Sequence, residues 1–266
     1  MRFKLQVQFQ GEPPFIMPAN YQYELSECIN KILHFNNVKF IQKLEESGYL
    51  DEHRQFKFFN FSNIDINDYE QDNDRLIIEN SHANMSISIL ANDSIKKDIE
   101  DLFTGKELRF GDKKNKVTIK IKSVEPEPEP SYSDSMDLRV VTPLVISNNE
   151  VSNTLNKNTK YLSPEDKDYE RLFFKILMSK YALLVKSVKD GYTSPINSNF
   201  SQLKFNCTSK AESRIVRVKT GNNKTISVKG YLFDFNITAP QELIKLGYHS
   251  GFGELNNLGF GWCIIR

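Results

Sequence analysis

The sequence predicts an α+β protein made of two ferredoxin-like (RRM-like) domains in tandem, each with the element order β-α-β-β-α-β. Two observations lead to this prediction. Segments that alternate apolar and polar residues and segments with helical spacing follow one another in this order twice. Between the two series, Pro126, Pro128 and Pro130 hold the backbone extended. We expect an N-terminal domain over 1–124, a Pro/Glu linker over 125–136 and a C-terminal domain over 137–266.

The N-terminal domain begins with a half-buried strand, because Phe3, Leu5, Val7 and Phe9 alternate with polar residues. A helix follows, in which apolar residues between Leu25 and Leu33 recur at helical spacing. The other predicted elements are a helix over 38–46, strands over 56–61, 75–78 and 85–90, a helix over 94–103, a short extra strand over 107–110 and a closing strand over 117–121.

The C-terminal domain begins with a strand over 138–146. Ser163 is a favourable N-cap and Pro164 suits the first helical position, so we expect the next helix to begin there. The segment from Thr238 to Gln241 resembles a capping box and predicts a short helix to Leu246. The other predicted elements are strands over 202–207 and 214–219, a turn over 221–223, a strand over 225–236 and a last strand over 262–265.

The basic residues are concentrated in the second half of the chain. The 266 residues carry a net charge of +1, but residues 1–130 hold 17 Lys and Arg against 22 Asp and Glu, and residues 131–266 hold 18 against 12. The surplus is densest over 202–230, where seven Lys and Arg face one acid, Glu212. Such a local charge can bind an RNA backbone. The alternative is a solvated strand face.

Several classes of protein are excluded by composition. No apolar run reaches the ~20 residues that span a bilayer, and no signal segment precedes Phe3, so we expect a cytoplasmic protein without a membrane partner. The three cysteines are scattered, so we expect reduced thiols. Four carboxylates cluster but are interpreted as an acidic loop, so we expect no metal and no cofactor; they are Asp65, Asp68, Asp72 and Asp74.

The most informative motif lies at the end of the chain. Two Gly-Phe-Gly triplets, 251–253 and 259–261, stand on either side of five residues. Glycine tolerates positive φ and brings the backbone close to a ligand, and exposed N–H groups in such a loop suit an anion. The alternative is a tight connection into the last strand, in which the glycines serve packing alone.

This loop resembles the signature of the CRISPR-associated repeat-processing endoribonucleases, the Cas6 family of the RAMP superfamily. The resemblance spans the chain, and its supporting segments are 1–5, 56–62, 142–146, 228–235 and 243–248. It implies two tandem ferredoxin-like folds and metal-independent cleavage of CRISPR repeat RNA. In that reaction the ribose 2′-OH attacks the neighbouring phosphate, which leaves 2′,3′-cyclic phosphate and 5′-OH ends.

This chemistry needs a base, an acid and a donor for the charge that develops on the phosphate. Histidine suits the first two roles because its pKa is near neutrality. The resemblance places the family's histidine at Glu45 and a tyrosine of some relatives at Asn30, so this chain departs from the pattern at both positions. The family's lysine is retained as Lys57.

His34 and His53 are therefore the candidates for a shifted catalytic histidine. The alternative for His34 is a charge at the C-terminal end of the first helix, and for His53 an exposed loop residue. Tyr49, Arg54 and Lys57 are the candidates for charge-stabilising companions. The other two histidines, at 82 and 249, are interpreted as structural or surface residues.

The RNA contacts are predicted in the basic hairpin and the glycine loop. Besides Arg54, the candidates are Arg214, Arg217, Lys219, Lys224, Lys229, Gly251, Gly253, Gly259 and Gly261. The partners that the resemblance implies are precursor CRISPR RNA, an interference complex and, as a homodimer, a second copy of the chain. The alternative function is a catalytically inactive relative that binds repeat RNA as a subunit of an interference complex.

Overall fold

The structure is a computed structural model of the chain. It describes residues 1–35, 50–51, 54–55, 59–90, 96–148, 159–187, 203–219 and 225–266. The predicted helix over 38–46 and the predicted turn over 221–223 lie outside these ranges.

The main elements of the first half of the chain are β1 (Arg2–Phe9), α1 (Gln22–Phe35), β5 (Phe59–Phe61), β9 (His82–Ile89), α2 (Lys96–Phe103) and β11 (Lys116–Pro126). Their strands form an antiparallel sheet in the order β11-β1-β9-β5, which is the order of a ferredoxin-like fold. The predicted extra strand forms β10 (Glu107–Gly111) beside β11, and β6 (Asp65–Ile66) pairs with β9. The alternating residues of β1 are buried, as the sequence predicts.

Two smaller sheets accompany this one. The predicted strand over 75–78 forms β8 (Arg75–Ile78), but it pairs with β2 (Phe15–Pro18) and β7 (Tyr69–Asp72) outside the main sheet. The strands β3 (Leu50–Asp51) and β4 (Arg54–Gln55) pair with each other.

The second half repeats the arrangement with β12 (Ser135–Val140), α3 (Tyr169–Ser187), β13 (Lys204–Cys207), β16 (Asp234–Thr238), α4 (Gln241–Ser250) and β17 (Cys263–Ile265). Its strands form a sheet in the order β13-β16-β12-β17. A hairpin of β14 (Glu212–Lys219) and β15 (Thr225–Leu232) is inserted between β13 and β16. The predicted fold class, α+β with two ferredoxin-like units, is confirmed.

Two strand predictions in this half are wrong in extent. The strand predicted over 138–146 ends at Val140, and Leu144 instead exchanges two backbone hydrogen bonds with Tyr231, of 2.9 and 3.0 Å. The strand predicted over 225–236 is interrupted at Phe233, because β15 pairs with β14 whereas β16 pairs with β12 and β13.

Two helix starts also differ from prediction. The helix predicted from Ser163 begins at Tyr169, because Ser163 is held in a turn in which its N–H donates to Asp166 Oδ2 at 2.7 Å. The last helix has Pro240 at its N-cap without a side-chain hydrogen bond, and it continues beyond Leu246 to Ser250. The capping box predicted from Thr238 does not form, because this residue is the end of β16.

Arg2 joins the two halves. Its guanidinium lies between the rings of Tyr248 and Trp262, 3.4 and 4.0 Å from their centres, and donates to the carbonyls of Tyr248 and Cys263 at 2.6 and 2.7 Å. Each half has its own apolar core, and a third cluster packs the hairpin onto the glycine loop. Among the described residues, no helix is long and apolar enough to cross a membrane.

Candidate nucleic-acid interface

The glycine loop follows α4 and crosses the junction between the two halves. Gly251, Gly253, Gly259 and Gly261 all have positive φ, between 70° and 83°. Phe252 N–H donates to the Gly261 carbonyl at 3.0 Å, which brings the two triplets together. Other N–H groups of the loop donate to protein carbonyls, that of Glu254 to Val145 and that of Gly261 to Pro143. These N–H groups hold the loop in place and are not turned to an external anion.

The four glycines are buried, and protein atoms occupy the space that a side chain would need. A Cβ on Gly261 would lie 1.9 Å from the Phe252 carbonyl oxygen, and one on Gly259 would lie 2.7 Å from the Phe61 ring. On Gly251 and Gly253 the nearest atoms would be 2.4 and 2.5 Å away. Packing therefore requires a glycine at each of the four positions, which is the alternative that the sequence left open. Contact of these glycines with RNA stays a prediction.

A buried polar pair lies behind the loop, and sequence reasoning missed it. Lys180 of α3 donates to the Gly251 carbonyl at 2.7 Å and to Asn256 Oδ1 at 2.5 Å. Burial lowers the pKa of the Lys180 ammonium to about 7, although Glu254 and Cys263 act in the opposite direction. A signal was available, because Lys180 follows Phe173 and Ile176 at helical spacing and therefore belongs to the buried face of α3.

The first half also holds the loop. Asn60 of β5 donates from Nδ2 to the Phe260 carbonyl at 3.2 Å, and its Oδ1 accepts from the Phe61 N–H at 2.7 Å. The buried side chain of Asn60 is therefore satisfied by both halves of the chain. This contact fixes the loop relative to the sheet of the first half.

The inserted hairpin has one apolar and one basic face. Antiparallel pairing sets Ile215 opposite Lys229, and Arg217 opposite Ser227. These residues point away from the buried side, which consists of Val216, Val218, Ile226 and Val228. Ile215 is 64% exposed, which is unusual for an isoleucine in a strand. The outer face thus combines cations with an exposed apolar side chain.

The predicted basic residues of the hairpin differ in whether another protein group pairs with their charge. Lys219 pairs with Glu24 of α1, and Arg214 pairs with Glu212 at 2.8 Å on the opposite face from Arg217. Lys229 lies 5.2 Å from the ring centre of Tyr231. Within the described part of the chain, the Arg217 guanidinium has no hydrogen-bond or ion-pair partner. Among the predicted hairpin residues that the structure describes, the cations available to a ligand are therefore Arg217 and Lys229.

The predicted catalytic residues are not tested by the structure. Tyr49, His53 and Lys57 lie outside the described residues, as does Lys224 of the predicted RNA contacts. His34 belongs to the last turn of α1, and Arg54 belongs to β4. Their roles remain predictions.

The other two histidines lie apart from the hairpin. His82 is exposed on β9, with Nδ1 3.2 Å from Ser81 Oγ. His249 of α4 is buried, and its Nε2 lies 3.0 Å from Glu129 Oε1. Burial lowers the pKa of His249 to about 4. Burial alone would raise the pKa of Glu129, but hydrogen bonds from His249 and Lys245 lower it to about 2. This pair attaches the Pro/Glu segment to α4.

The four predicted acidic residues, Asp65, Asp68, Asp72 and Asp74, are exposed on and around β6 and β7. No group of three or more His, Cys, Asp or Glu residues in the described ranges could hold a metal ion.

Comparison with known proteins gives one family. The model of "CRISPR associated protein Cas6, C-terminal" matches residues 124–265, which is more than half of the chain. The "CRISPR-associated endoribonuclease Cas6 1" of Methanocaldococcus jannaschii is 24% identical over 261 residues, which cover 98% of this chain and 92% of the relative.

Solved structures share the fold of this chain. A Cas6-related protein from Pyrococcus furiosus has a TM-score of 0.73 at 20% identity, and the match covers 100% of this chain and 98% of the other. A RAMP protein described as binding different RNA substrates has a TM-score of 0.72 at 19% identity, with 100% and 99% covered. At these identities the likeness shows the fold.

Proposed function

This chain belongs to the Cas6 family of CRISPR-associated proteins, and from that premise we propose that it binds CRISPR repeat RNA and cuts it without a metal ion. The relative from Methanocaldococcus jannaschii is named an endoribonuclease, which supports the proposed activity. The RAMP protein of similar fold is described as binding RNA, which supports the proposed substrate.

The single observation that carries RNA binding is the outer face of the hairpin. Arg217 and Lys229 present charge to solvent there without a carboxylate partner among the described residues. Such cations bind phosphates and release counterions. The exposed Ile215, directly opposite Lys229, supplies an apolar surface for a base or a ribose. Charge and apolar surface on one face suit single-stranded RNA, which offers both a phosphate backbone and unstacked bases.

The proposed cleavage uses the RNA's own 2′-OH as the nucleophile. A bond forms between O2′ and phosphorus while the bond from phosphorus to O5′ breaks; a base takes the 2′-OH proton and an acid supplies a proton to O5′. We assign one of these roles to His34, with His53 as the second choice. Tyr49 and Lys57 would stabilise the charge that develops on the phosphate.

A second function, RNA binding without cleavage, is favoured by one observation. Glu45 occupies the position at which the family resemblance places a histidine. A carboxylate with an ordinary pKa is a weak acid–base group near neutral pH. A protein of this kind would serve an interference complex as its repeat-binding subunit.

One experiment separates these functions. The purified protein is incubated with its cognate repeat RNA in EDTA, and the ends of the products are analysed. We expect one cut per repeat, with a 2′,3′-cyclic phosphate on one product and a 5′-OH on the other. Binding without products would support the second function, whereas products that form only after a divalent ion is added would overturn the proposed chemistry.

A further inference from the structure

The geometry points to Lys180 and Asn256 as a positioning pair that holds both Gly-Phe-Gly triplets, and through them the hairpin, in the arrangement that RNA binding requires. This inference rests on the proposed function only for its RNA readout. The pair itself is described by contacts within the protein.

Asn256 lies between the triplets and uses its side-chain amide on both of them. Its Nδ2 donates to the Phe252 carbonyl in the first triplet and to the Phe260 carbonyl in the second, each at 2.9 Å. A primary amide has two N–H donors, so these two contacts use both. Its Oδ1 accepts from Lys180, which fixes which way the amide faces.

Lys180 anchors this arrangement to α3. Its ammonium group also donates to the Gly251 carbonyl, so it contacts the loop at two points. The residue is only 1% exposed. Removing a charged group from water has a large free-energy cost, and an apolar side chain of similar length would fill the space without it. We therefore assign Lys180 a role in setting geometry rather than in maximising stability.

The position of the loop determines the position of the hairpin. Leu258 and Phe260 of the loop pack in one apolar cluster with Val216 and Val228, whose strands carry Arg217 and Lys229 on their other face. A shift of the second triplet would move this cluster. The contacts thus form a continuous path from Lys180 through Asn256 to the basic face.

A double-mutant cycle tests the pair. The variants are Lys180→Met, Asn256→Leu and the double substitution, with Lys175→Met as the control because Lys175 is exposed on the same helix. Affinity for the cognate repeat RNA is measured for each. Each single substitution should weaken binding by about tenfold, the scale of coupling between contacting residues, and the double substitution should weaken it no further than the stronger single one. Lys175→Met should bind as the parental protein does.

Amide hydrogen exchange provides a readout that needs no RNA. The N–H groups of Phe252 and Gly261 should exchange faster in both single variants, whereas those of β1, in the first half of the chain, should keep their protection. If Lys180→Met does not fold, the exchange rates and RNA affinity of Asn256→Leu alone decide whether the pair holds the loop.

Three outcomes would overturn the inference: parental exchange rates in the loop, parental RNA affinity in the folded variants, or additive losses in the double variant. If the parental protein itself binds no repeat RNA, the proposed function fails, and the exchange measurement still decides whether the pair holds the loop.

Discussion

The ammonium group of Lys219, at the end of β14, pairs with the carboxylate of Glu24 on α1. The pair attaches the hairpin of the second half to the first helix of the first half, and the N–H of Arg217 donates to Asn20 Oδ1 beside it at 3.4 Å. The charge of Lys219 is therefore already balanced. The basic hairpin is a surface in which neighbouring cations have different roles.

The first prediction is that the hairpin cations Arg217 and Lys229 contribute more to RNA binding than the paired Lys219. Arg217→Ala and Lys229→Ala should each weaken RNA binding and lower the salt slope of the binding constant by about one, because one fewer counterion is released. Lys219→Ala should have a smaller effect on the slope. Binding titrations over a range of salt concentrations check this, with Arg171→Ala on α3 as the control. A slope that is unchanged in both Arg217→Ala and Lys229→Ala would remove the hairpin from the interface.

The second prediction concerns the packing of the glycine loop. Gly261→Ala must accommodate a Cβ 1.9 Å from the Phe252 carbonyl oxygen, at a φ of +70°. Gly105→Ala is a matched control, because Gly105 has a similar φ of +75° and no atom within 4 Å of the added Cβ. Gly261→Ala should lower the free energy of unfolding by about 1–3 kcal/mol more than Gly105→Ala. Denaturant titration measures both, and equal losses would contradict the packing role.

The third prediction is a pH dependence of stability caused by Lys180. Its pKa is about 7 in the folded protein and 10.5 for the free side chain, so between these values the unfolded chain binds more protons. Stability contributed by this group should therefore rise with pH above about 7. Among the described residues, the titratable groups that act on the ammonium are Glu254 in the loop and Cys263 in β17. The measurement is the free energy of unfolding between about pH 7 and 9 for the parental protein and Lys180→Met. Identical slopes would contradict the assignment.

The regular part of the fold could be predicted from the sequence, because buried apolar residues recur every second position in a strand and every three to four positions in a helix. Phe3 to Phe9 in β1 and Ile99 in α2 carry a signal that needs no knowledge of their partners. The exchange of partners at Phe233 could not be predicted, because an apolar run looks the same whichever strand it pairs with. Helical spacing indicates that Lys180 is buried, but its pairing with Asn256 could not be predicted, because the two residues are far apart in sequence and meet only when α3 packs behind the loop.

The glycine loop illustrates the same limit. Its spacing led to the family, which the comparisons confirm. The sequence predicts its glycines as RNA contacts, because glycine tolerates positive φ and lets the backbone approach a ligand without a Cβ. The neighbours at closest approach are protein groups, among them the Phe61 ring at Gly259. The glycine pattern indicates that other atoms pack closely against the backbone, but it does not indicate whether those atoms belong to the protein or to a ligand.

The fourth prediction concerns the shifted histidine. His34→Ala should lower the single-turnover rate of RNA cleavage by roughly 10²-fold or more, the usual scale for a general acid or base, and should leave RNA affinity nearly unchanged. His53→Ala is compared in the same assay, and His82→Ala is the control because His82 is exposed on β9. Parental rates in both His34→Ala and His53→Ala would show that histidine is not the acid–base group.

Cleavage by the RNA's own 2′-OH is tested most directly with a set of repeat RNAs that each carry one 2′-deoxynucleotide, incubated with the protein in EDTA. The nucleophile is absent when the deoxynucleotide lies on the 5′ side of the scissile phosphate. We expect all the RNAs to bind and all but one to be cut at the parental rate, the exception remaining intact. Cleavage of every RNA at the parental rate would contradict this mechanism, because the attacking oxygen would then come from another source.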